Sequence, residues 1–441
     1  MKYLLLLLLG LPVLGQKSVL DEYVATAFQQ NITLQQKSIQ VEKAMMALKT
    51  AQSLYQPSVA FQGGYQSGEG GRSIAFPVGD LLNPVYSTLN ALTKSTAFPQ
   101  IANVETNFFP RDFYDVKVQT TMPLYNKDIS YNKQIQEQTL SLQREDVSLY
   151  KRELVKQIKT AYYNYLLSLG LVKVYENSLN LALEGKKVNE KLLANGKGLP
   201  AYLLRSDSEI ATIQAQIAEA VKQNQSAQYY FNFLLNRELR AEIRIDFEVE
   251  KAIAGVYAVT PGVREELSLL SKSINIQETV LKMNESFYLP KLNGFVNLGS
   301  QATLNNISSK SGYYFFGLQM DIPIFSGKRS LYKVKQTQLD IASAKNALDL
   351  STKQFNMATE IAQKNVQSSI VSFQASTKSY EAASAYLRLI EKGYKEGVST
   401  YLETVDARNQ WMNAQINYQL KQFNVLIAAA AYEREAASYP L

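Results

Sequence analysis

Apolar and polar residues alternate over four short segments of the chain, and each segment predicts a β-strand with one apolar face. The clearest runs from Tyr114 to Met122, where tyrosine, valine, threonine and methionine alternate with polar side chains. Similar patterns cover residues 59–65, 291–298 and 314–322, and the alternation is weakest over 291–298. Strands of about ten residues are long enough to cross an outer membrane when tilted, and aromatic residues at their ends suit its interfaces.

Much longer segments carry a helical pattern, with essentially no proline and little glycine. Two of them run from about Lys127 to Ala194 and from about Lys328 to Lys392, so each helix would be on the order of 100 Å long. Each is followed by a glycine-containing turn and a returning helix, over 200–239 and 400–437, and a further helix is predicted over 18–51. An apolar seam along the long helices indicates coiled-coil packing. The seam residues are Leu140, Val147, Leu154 and Ile158, then Ile341, Leu348, Phe355 and Ile361.

The chain contains two copies of one pattern, about two hundred residues apart. The tetrapeptide Met122–Tyr125, with proline at its second position, returns as Ile322–Phe325, and the turn sequence 198–203 returns as 397–402. An insertion over 67–112, rich in glycine, serine, asparagine and proline, lengthens the first copy. The repeat fixes the architecture as two strand pairs and two helical hairpins. The insertion is either an ordinary exposed loop or an outer-surface lid or receptor feature.

The N-terminus has the pattern of a secretory signal peptide. Lys2 precedes an apolar run from Leu4 to Leu9, and the small-residue exit that ends at Gly15 predicts cleavage before Gln16. We therefore expect the mature protein outside the cytoplasm. The chain has no cysteine, which leaves neither a lipid anchor at the cleavage point nor a disulfide framework.

Histidine is absent as well as cysteine. The chain therefore lacks the commonest general base, the commonest thiol nucleophile and most transition-metal ligands. We expect no enzyme activity, no cofactor and no bound metal. A hydrolase built on carboxylates would need clustered acids, whereas the acids here are interspersed. The formal charge is +7, but the lysines are interspersed with acidic residues and form no basic cluster of the kind that binds nucleic acid.

No segment after the N-terminus approaches the roughly 18 uninterrupted apolar residues of a membrane-spanning helix. If the chain crosses a membrane, it must do so as a β-barrel, because lipid does not tolerate open strand edges. Four strands are too few to close a barrel, for which about eight is the practical minimum. Oligomerisation must supply the rest: three copies, a homotrimer, would give about twelve strands and a ring of about twelve helices.

Strand pairs flanked by prolines, each followed by a long helical hairpin, resemble the TolC-like outer membrane efflux proteins over essentially the whole mature chain. The most specific motif is the second turn, from Tyr394 to Ala407, and the first turn, from Asn195 to Asp207, is a weaker copy. The resemblance implies a mainly α fold with membrane β: duplicated helical hairpins that form an α-barrel, and four strands per chain that complete a twelve-stranded trimeric β-barrel.

The resemblance also implies a function. The protein would be the passive exit duct of a tripartite efflux or type I secretion system, located in the outer membrane and extending into the periplasm. Its implied partners are a periplasmic adaptor (membrane fusion) protein, an inner-membrane pump reached through that adaptor, and outer-membrane lipid. The main alternative is a periplasmic coiled-coil adaptor or tethering protein, which should carry one helical hairpin rather than two.

Two acidic residues are candidates for a periplasmic constriction. Glu403 and Asp406 are three residues apart, so they lie on one face of the returning helix. The resemblance places acidic residues here at the narrow entrance, where threefold symmetry would gather about six carboxylates and attract cations. A structural alternative exists for Glu403, because Thr400 and Glu403 match a capping box.

Further candidates lie in the turns themselves. Gly198 and Gly397 are predicted turn residues able to adopt positive φ, and by resemblance they and their neighbours Leu199 and Val398 contact the adaptor.

Two candidate gate residues complete the set. Tyr394 matches a tyrosine that helps hold the entrance closed in some family members, and Asp207 is the counterpart of Asp406 in the first copy. The basic partner expected two residues beyond Gly397 is Ser399 here, so any latch must use other residues.

These predictions divide the chain into consecutive segments. In order they are a signal peptide (1–15), a periplasmic helix (16–56), an outer-membrane β-hairpin with a long extracellular loop (57–124), the first periplasmic helical hairpin (125–239), an equatorial segment (240–262) with a short strand over 243–249, a periplasmic helix (263–289), the second outer-membrane β-hairpin (290–325), the second periplasmic helical hairpin (326–437) and a C-terminal tail (438–441).

Overall fold

The computed structural model describes residues 19–108, 111–256 and 260–441, most of which are helical. The expected signal peptide and its cleavage point before Gln16 lie outside the described residues. The elements of the first half are α1 (Val19–Gln30), α2 (Ile32–Ser53), β1 (Ser58–Gln66), β2 (Ser73–Phe76), α3 (Val78–Thr93), β3 (Val104–Asn107), β4 (Phe113–Tyr125), α4 (Lys127–Ala194) and α5 (Pro200–Leu234). Those of the second half are α6 (Val249–Ala254), α7 (Glu265–Glu285), β5 (Lys291–Thr303), β6 (Gly312–Asp321), α8 (Arg329–Lys395) and α9 (Tyr401–Glu435).

The helices confirm the duplication that the sequence predicts. Helices α4 and α5 have 68 and 35 residues, and α8 and α9 have 67 and 35. The seam residues Leu154 and Ile158 of α4 are fully buried, whereas Ile361 of α8 is half-exposed. Among the described residues, none of the helices has an apolar stretch long enough for a membrane crossing.

The chain divides into two compact units. Within the described residues, the helical unit contains 19–45, 138–278 and 339–441, and the sheet unit contains 46–137 and 279–338. The sheet unit is built on an antiparallel sheet of four strands in the order β1-β4-β5-β6. Strands β1 and β6 are its edges, so each pairs on one side only within the part of the chain that the structure describes.

The register of this sheet separates an apolar face from a polar one. Val118 stands opposite both Phe61 and Leu298, while the next residue of β4, Gln119, stands opposite Asn297. Successive side chains of a strand point to opposite faces, so one face carries valine, leucine, phenylalanine and tyrosine and the other carries mainly amides, hydroxyls and a few charges. The alternation predicted from the sequence is confirmed.

The insertion over 67–112 has a structure of its own, although the sequence predicts only a long loop. Strands β2 and β3 pair as a separate antiparallel sheet, and α3 lies between them in the chain. Asn83 exchanges two hydrogen bonds of 2.9 Å with the backbone of Ile101, and Asn90 exchanges two with the backbone of Phe98. Strands of four residues are too short to show a period of two in the sequence.

The core of the helical unit is an aromatic cluster. Tyr23, Tyr162 and Phe231 are buried, with ring centroids 5.0 to 6.0 Å apart. The predicted strand over 243–249 is wrong: residues 241–248 have no regular secondary structure, and α6 begins at Val249. Ile243 is buried in this core, and the Arg244 N–H donates to the Tyr23 hydroxyl at 2.9 Å. The segment is thus bonded to a side chain, and among the described residues no strand pairs with it.

Buried ion pairs connect the start of α7 to α4 and to the end of α9. The Arg152 guanidinium donates to both carboxylate oxygens of Glu265, at 2.5 and 2.6 Å. Arg264 donates to the carboxylates of Glu266 and Glu435. Burial disfavours the ionised form of Glu266. The hydrogen bonds from Arg264, a backbone hydrogen bond and the positive charges of Arg434 and Arg264 together outweigh this cost and lower the pKa of its carboxyl. This network fixes the end of α9 within the helical unit.

Candidate functional site at the two hairpin turns

The first turn, residues 195–199, is closed by backbone hydrogen bonds. Gly196 has a φ of 71°, in the left-handed region, and the Lys197 N–H donates to the Leu192 carbonyl at 2.9 Å. Gly198, for which the sequence predicts positive φ, does not adopt it. A Cβ at Gly198 would lie 2.7 Å from the Leu193 nitrogen, so close approach to the backbone, and not φ, requires glycine there.

The second turn, residues 396–400, combines backbone and side-chain closure. Gly397 has a φ of 79°, as predicted, and the Val398 N–H donates to the Gly393 carbonyl at 2.8 Å. Thr400 is the N-cap of α9: its Oγ1 accepts from the Glu403 N–H at 3.3 Å, and its own N–H donates to Glu403 Oε2 at 2.6 Å. This is the capping box anticipated as the structural role of Glu403.

Both turns expose apolar side chains. Leu199 is 56% exposed and Val398 is 82% exposed. Leu204 and Leu402, in the first turns of α5 and α9, are exposed to a similar extent. Because exposed aliphatic residues are clustered at the turns, these surfaces are suited to contact another protein.

The two candidate constriction residues are both exposed. The Thr400 N–H and hydroxyl donate to Glu403, and these bonds lower the pKa of its carboxyl, so Glu403 is anionic at neutral pH. Asp406 Oδ2 accepts from Gln410 Nε2 at 2.6 Å, on the same helix. In the described part of the chain, no group of three or more acidic side chains is placed to hold a metal ion.

Tyr394 belongs to a chain of hydrogen bonds that joins four helices. Its hydroxyl donates to Asn189 Oδ1 at 2.6 Å, and Asn189 Nδ2 donates to Ser206 Oγ at 3.1 Å. Ser206 Oγ and the Tyr401 hydroxyl are 2.8 Å apart. Burial raises the pKa of Tyr394, so its hydroxyl stays protonated and can donate at neutral pH. The chain links α8 and α9 of the second hairpin to α4 and α5 of the first.

A buried ion pair lies on the same helices. Arg408 of α9 donates to both carboxylate oxygens of Glu209 of α5, at 3.0 and 3.3 Å, and the two side chains are 7% and 9% exposed. Asp207, by contrast, pairs with Lys186 of its own hairpin at 2.6 Å, and this hydrogen bond raises the pKa of the Lys186 ammonium. The structure therefore brings Tyr394 into the contact between hairpins and leaves Asp207 outside it.

The sequence prediction missed the partners of Tyr394 and the whole ion pair, although the repeat contained a signal. Tyr202 and Tyr401 occupy equivalent positions of the two copies, and their rings are 5.0 Å apart. Glu209 and Arg408 stand at the same offset as Asp207 and Asp406, which the sequence aligns. Equivalent positions of the two copies thus contact each other across the hairpins, and the alignment could have suggested these pairs.

Comparisons with known proteins show which family part of the chain resembles. Residues 280–434 match the family model described as outer membrane efflux protein. The outer membrane protein TolC of Escherichia coli (strain K12) is 27% identical over 124 residues, which cover 26% of this chain and 25% of that protein. TolC of Salmonella enteritidis is 23% identical over 200 residues, or 41% of each chain. The matched regions thus span between 25% and 41% of the length of these relatives.

Structural similarity extends over nearly the whole chain. The outer-membrane channel OprN superimposes with a TM-score of 0.73 at 14% sequence identity, covering 96% of this chain and 90% of that chain. At this identity the similarity establishes the fold. Over residues 280–434 the chain thus resembles the outer membrane efflux protein family, and as a whole it shares the fold of the channel OprN.

Proposed function

We propose that the protein is the outer-membrane exit duct of a tripartite efflux or type I secretion system, through which cargo passes passively. One observation carries this proposal: a single chain contains two long helical hairpins and a two-faced sheet whose two edges are unpaired within the described residues. A periplasmic adaptor, the alternative, should carry one hairpin, and no finding favours it.

The barrel in this proposal is built from three copies of the sheet. The free edge of β1 in one copy pairs with the free edge of β6 in the next, which removes every edge and gives about twelve strands. The apolar face, which exposes Phe61, Phe316 and Leu318, contacts the lipid. The polar face, which carries Gln119 and Asn297, lines the lumen. The segments 57–124 and 290–325 are then the membrane part, and the long hairpins are periplasmic.

Glu403 and Asp406 form the acidic entrance in this proposal. Both are exposed and three residues apart on α9, so three copies bring about six carboxylates around the axis. The capping role of Glu403 does not conflict with this one, because the hydrogen bonds from Thr400 keep the carboxylate ionised. We expect the ring to favour cations over anions.

The exposed turn residues are the proposed adaptor contacts. Leu199 and Val398, placed by Gly198 and Gly397, offer aliphatic surface at the ends of the two hairpins. A periplasmic adaptor that docks on these turns would connect the duct to an inner-membrane pump.

The contacts between hairpins are the proposed gate. Opening the entrance by moving α8 and α9 away from α4 and α5 would break the hydrogen bond from Tyr394 to Asn189. It would also break the pair of Arg408 and Glu209, which supplies the basic latch that Ser399 cannot. Asp207 contributes indirectly, because its bond to Lys186 holds α5 to α4.

The test is the mass of the detergent-extracted protein together with its conductance in a planar bilayer. We expect the mass of three chains and discrete conductance steps. A monomer without conductance would contradict the duct and return the tethering coiled coil to consideration.

A further inference from the structure

The outer face of α3, in the insertion, carries an apolar stripe with no partner in the described chain. Leu81, Val85, Thr88 and Leu92 follow one another at intervals of four, three and four residues, which places them on one side of the helix. Leu81 is 69% exposed, Val85 is 52% exposed and Leu92 is 76% exposed. This is the spacing by which one helix packs against another of the same kind.

The direction of the stripe is fixed, because the opposite side of α3 is anchored. Asn83 and Asn90 bind the returning backbone at Ile101 and Phe98, as described above. Gly79 approaches that backbone closely: a Cβ there would meet the Ile101 carbonyl oxygen and Asn103. Helix α3 has 16 residues, with Pro84 inside it, so its face is about 24 Å long.

The stripe can face an identical stripe without electrostatic conflict. Between residues 73 and 104 the only charged side chains are Asp80 and Lys94, and neither belongs to it. The carboxylate of Asp80 accepts a hydrogen bond from Asn103 Nδ2 at 3.0 Å, on the anchored side of the helix. Like charges on facing helices would repel, and none occurs here.

The insertion also begins at a strand edge that the proposed trimer uses. It leaves the end of β1, an edge strand, and returns at β4. Asp112 ties its two ends together, because it accepts hydrogen bonds from the Tyr65 hydroxyl at 2.6 Å and from the Ser67 hydroxyl at 3.1 Å. The insertion is therefore held at the end of β1, beside the boundary where the next copy would pair.

We propose that the α3 stripes of three copies pack against one another and form a three-helix cap beyond the strand ends of the barrel. The proposal rests on the proposed trimeric duct. It assigns the insertion a role in closing the outer exit, so the cap must open when cargo leaves.

The test is disulfide crosslinking, for which a chain without native cysteine is well suited. Leu92→Cys and Leu81→Cys place a thiol on the stripe, and Thr93→Cys is a matched control, exposed and adjacent but turned away from it. With copper phenanthroline as oxidant, we expect Leu92→Cys and Leu81→Cys to give disulfide-linked dimers within the trimer, and Thr93→Cys to give none. Oxidised Leu92→Cys should conduct several-fold less than its reduced form, and reductant should restore the current.

The possible outcomes distinguish a failure of the proposed cap from a failure of the proposed duct. If neither stripe variant crosslinks although the detergent mass remains that of a trimer, the cap is wrong and the duct stands. Equal crosslinking at the stripe and at Thr93→Cys would also overturn it, because it would show contact without specific packing. A monomeric, non-conducting wild type would overturn the trimer, and the cap with it.

Discussion

The two hairpin turns join helices of nearly equal length, yet they are closed by different chemistry. The second turn has its own side-chain closure, the capping box of Thr400 and Glu403. The first has no capping box: Leu199 is the N-cap of α5 and makes no side-chain bond, and Pro200 follows it at the first helical position. Its side-chain bond runs the other way, from Asn195 Nδ2 to the Lys191 carbonyl of α4 at 2.8 Å. We therefore expect the first turn to depend more on contacts with the other hairpin, through Asn189, Ser206 and Glu209.

This difference shows how a duplicated fold can diverge. The hairpin lengths are preserved within one residue, so the architecture tolerates different local solutions at the turns. What remains shared is the contact between equivalent positions, such as Tyr202 with Tyr401. The four predictions below test how each turn is stabilised, and whether the first turn loses more stability than the second when contacts between the hairpins are removed.

The largest effect is expected from Arg408→Met, which leaves the Glu209 carboxylate buried without its partner. Breaking a buried pair costs about 3–5 kcal/mol. Hydrogen exchange of the backbone amides, expressed as a local opening free energy, should show a larger loss in the first turn than in the second. The double variant Arg408→Met with Glu209→Met should recover most of the loss. Equal losses in both turns would contradict the dependence argued above.

Tyr394→Phe should have the next largest effect, because it leaves Asn189 Oδ1 buried without a donor. An unsatisfied buried acceptor costs about 1–3 kcal/mol. Tyr386→Phe is the control, since this half-exposed tyrosine of α8 makes no hydrogen bond within the described residues. Exchange in the last turn of α4 should rise for Tyr394→Phe alone. If both variants leave it unchanged, the chain of hydrogen bonds does not hold the hairpins together.

Substituting alanine for the turn glycines should distinguish backbone strain at positive φ from steric contact between a new Cβ and the neighbouring backbone. Gly196→Ala and Gly397→Ala should each cost about 1–2 kcal/mol, because a Cβ is unfavourable at positive φ. Gly198→Ala should be destabilising for another reason, its contact with the Leu193 backbone. Gly255 has a φ of −81°, and a Cβ there would lie 3.6 Å from the Ala252 carbonyl oxygen, so Gly255→Ala should be close to neutral. Unfolding midpoints of the four variants provide the comparison, and a neutral Gly198→Ala would remove the packing argument.

The smallest effect is expected from the capping box. Thr400→Ala should destabilise the start of α9 by about 1 kcal/mol and leave the first turn unchanged. The box also makes the second turn sensitive to acid. The pKa of Glu403 is lowered in the folded protein, so its contribution is fully present above the ordinary value of 4.5 and is lost as the pH falls through the lowered pKa. Amide hydrogen exchange at the second turn, corrected for its intrinsic rate, should therefore accelerate in the wild type as the pH falls below 4.5 towards the lowered pKa. Glu403→Gln should abolish this pH dependence.

The sequence predicted the features that follow from periodicity and failed where distant residues decide. The alternation of apolar and polar residues from Tyr114 to Met122 is sufficient to predict strand β4, because each face of that strand has a uniform environment. The segment with Gly196 and Gly198 contains two glycines two residues apart, and only the packing of the turn shows which one needs positive φ. The fold of the insertion depends on Asn83 and Asn90 binding a backbone that is distant in sequence, which no local pattern reveals.

The same reason explains the incomplete prediction of the candidate site. Glu403, Val398 and Leu199 can be proposed from the sequence because they lie within a recognisable turn sequence, and their roles stay predictions. Asn189 and Arg408 were missed because each is an ordinary polar residue of a long helix, and its role appears only when the two hairpins are brought together.

The proposed function requires that three chains form a conducting duct with an acidic entrance. The most direct measurement is the reversal potential of single channels under a salt gradient, for the wild type and for Glu403→Gln with Asp406→Asn. The account predicts a cation-selective wild type and a double variant that conducts with much weaker selectivity. Channels with the same selectivity in both proteins would remove these carboxylates from the constriction, and absence of channels in the wild type would contradict the duct itself.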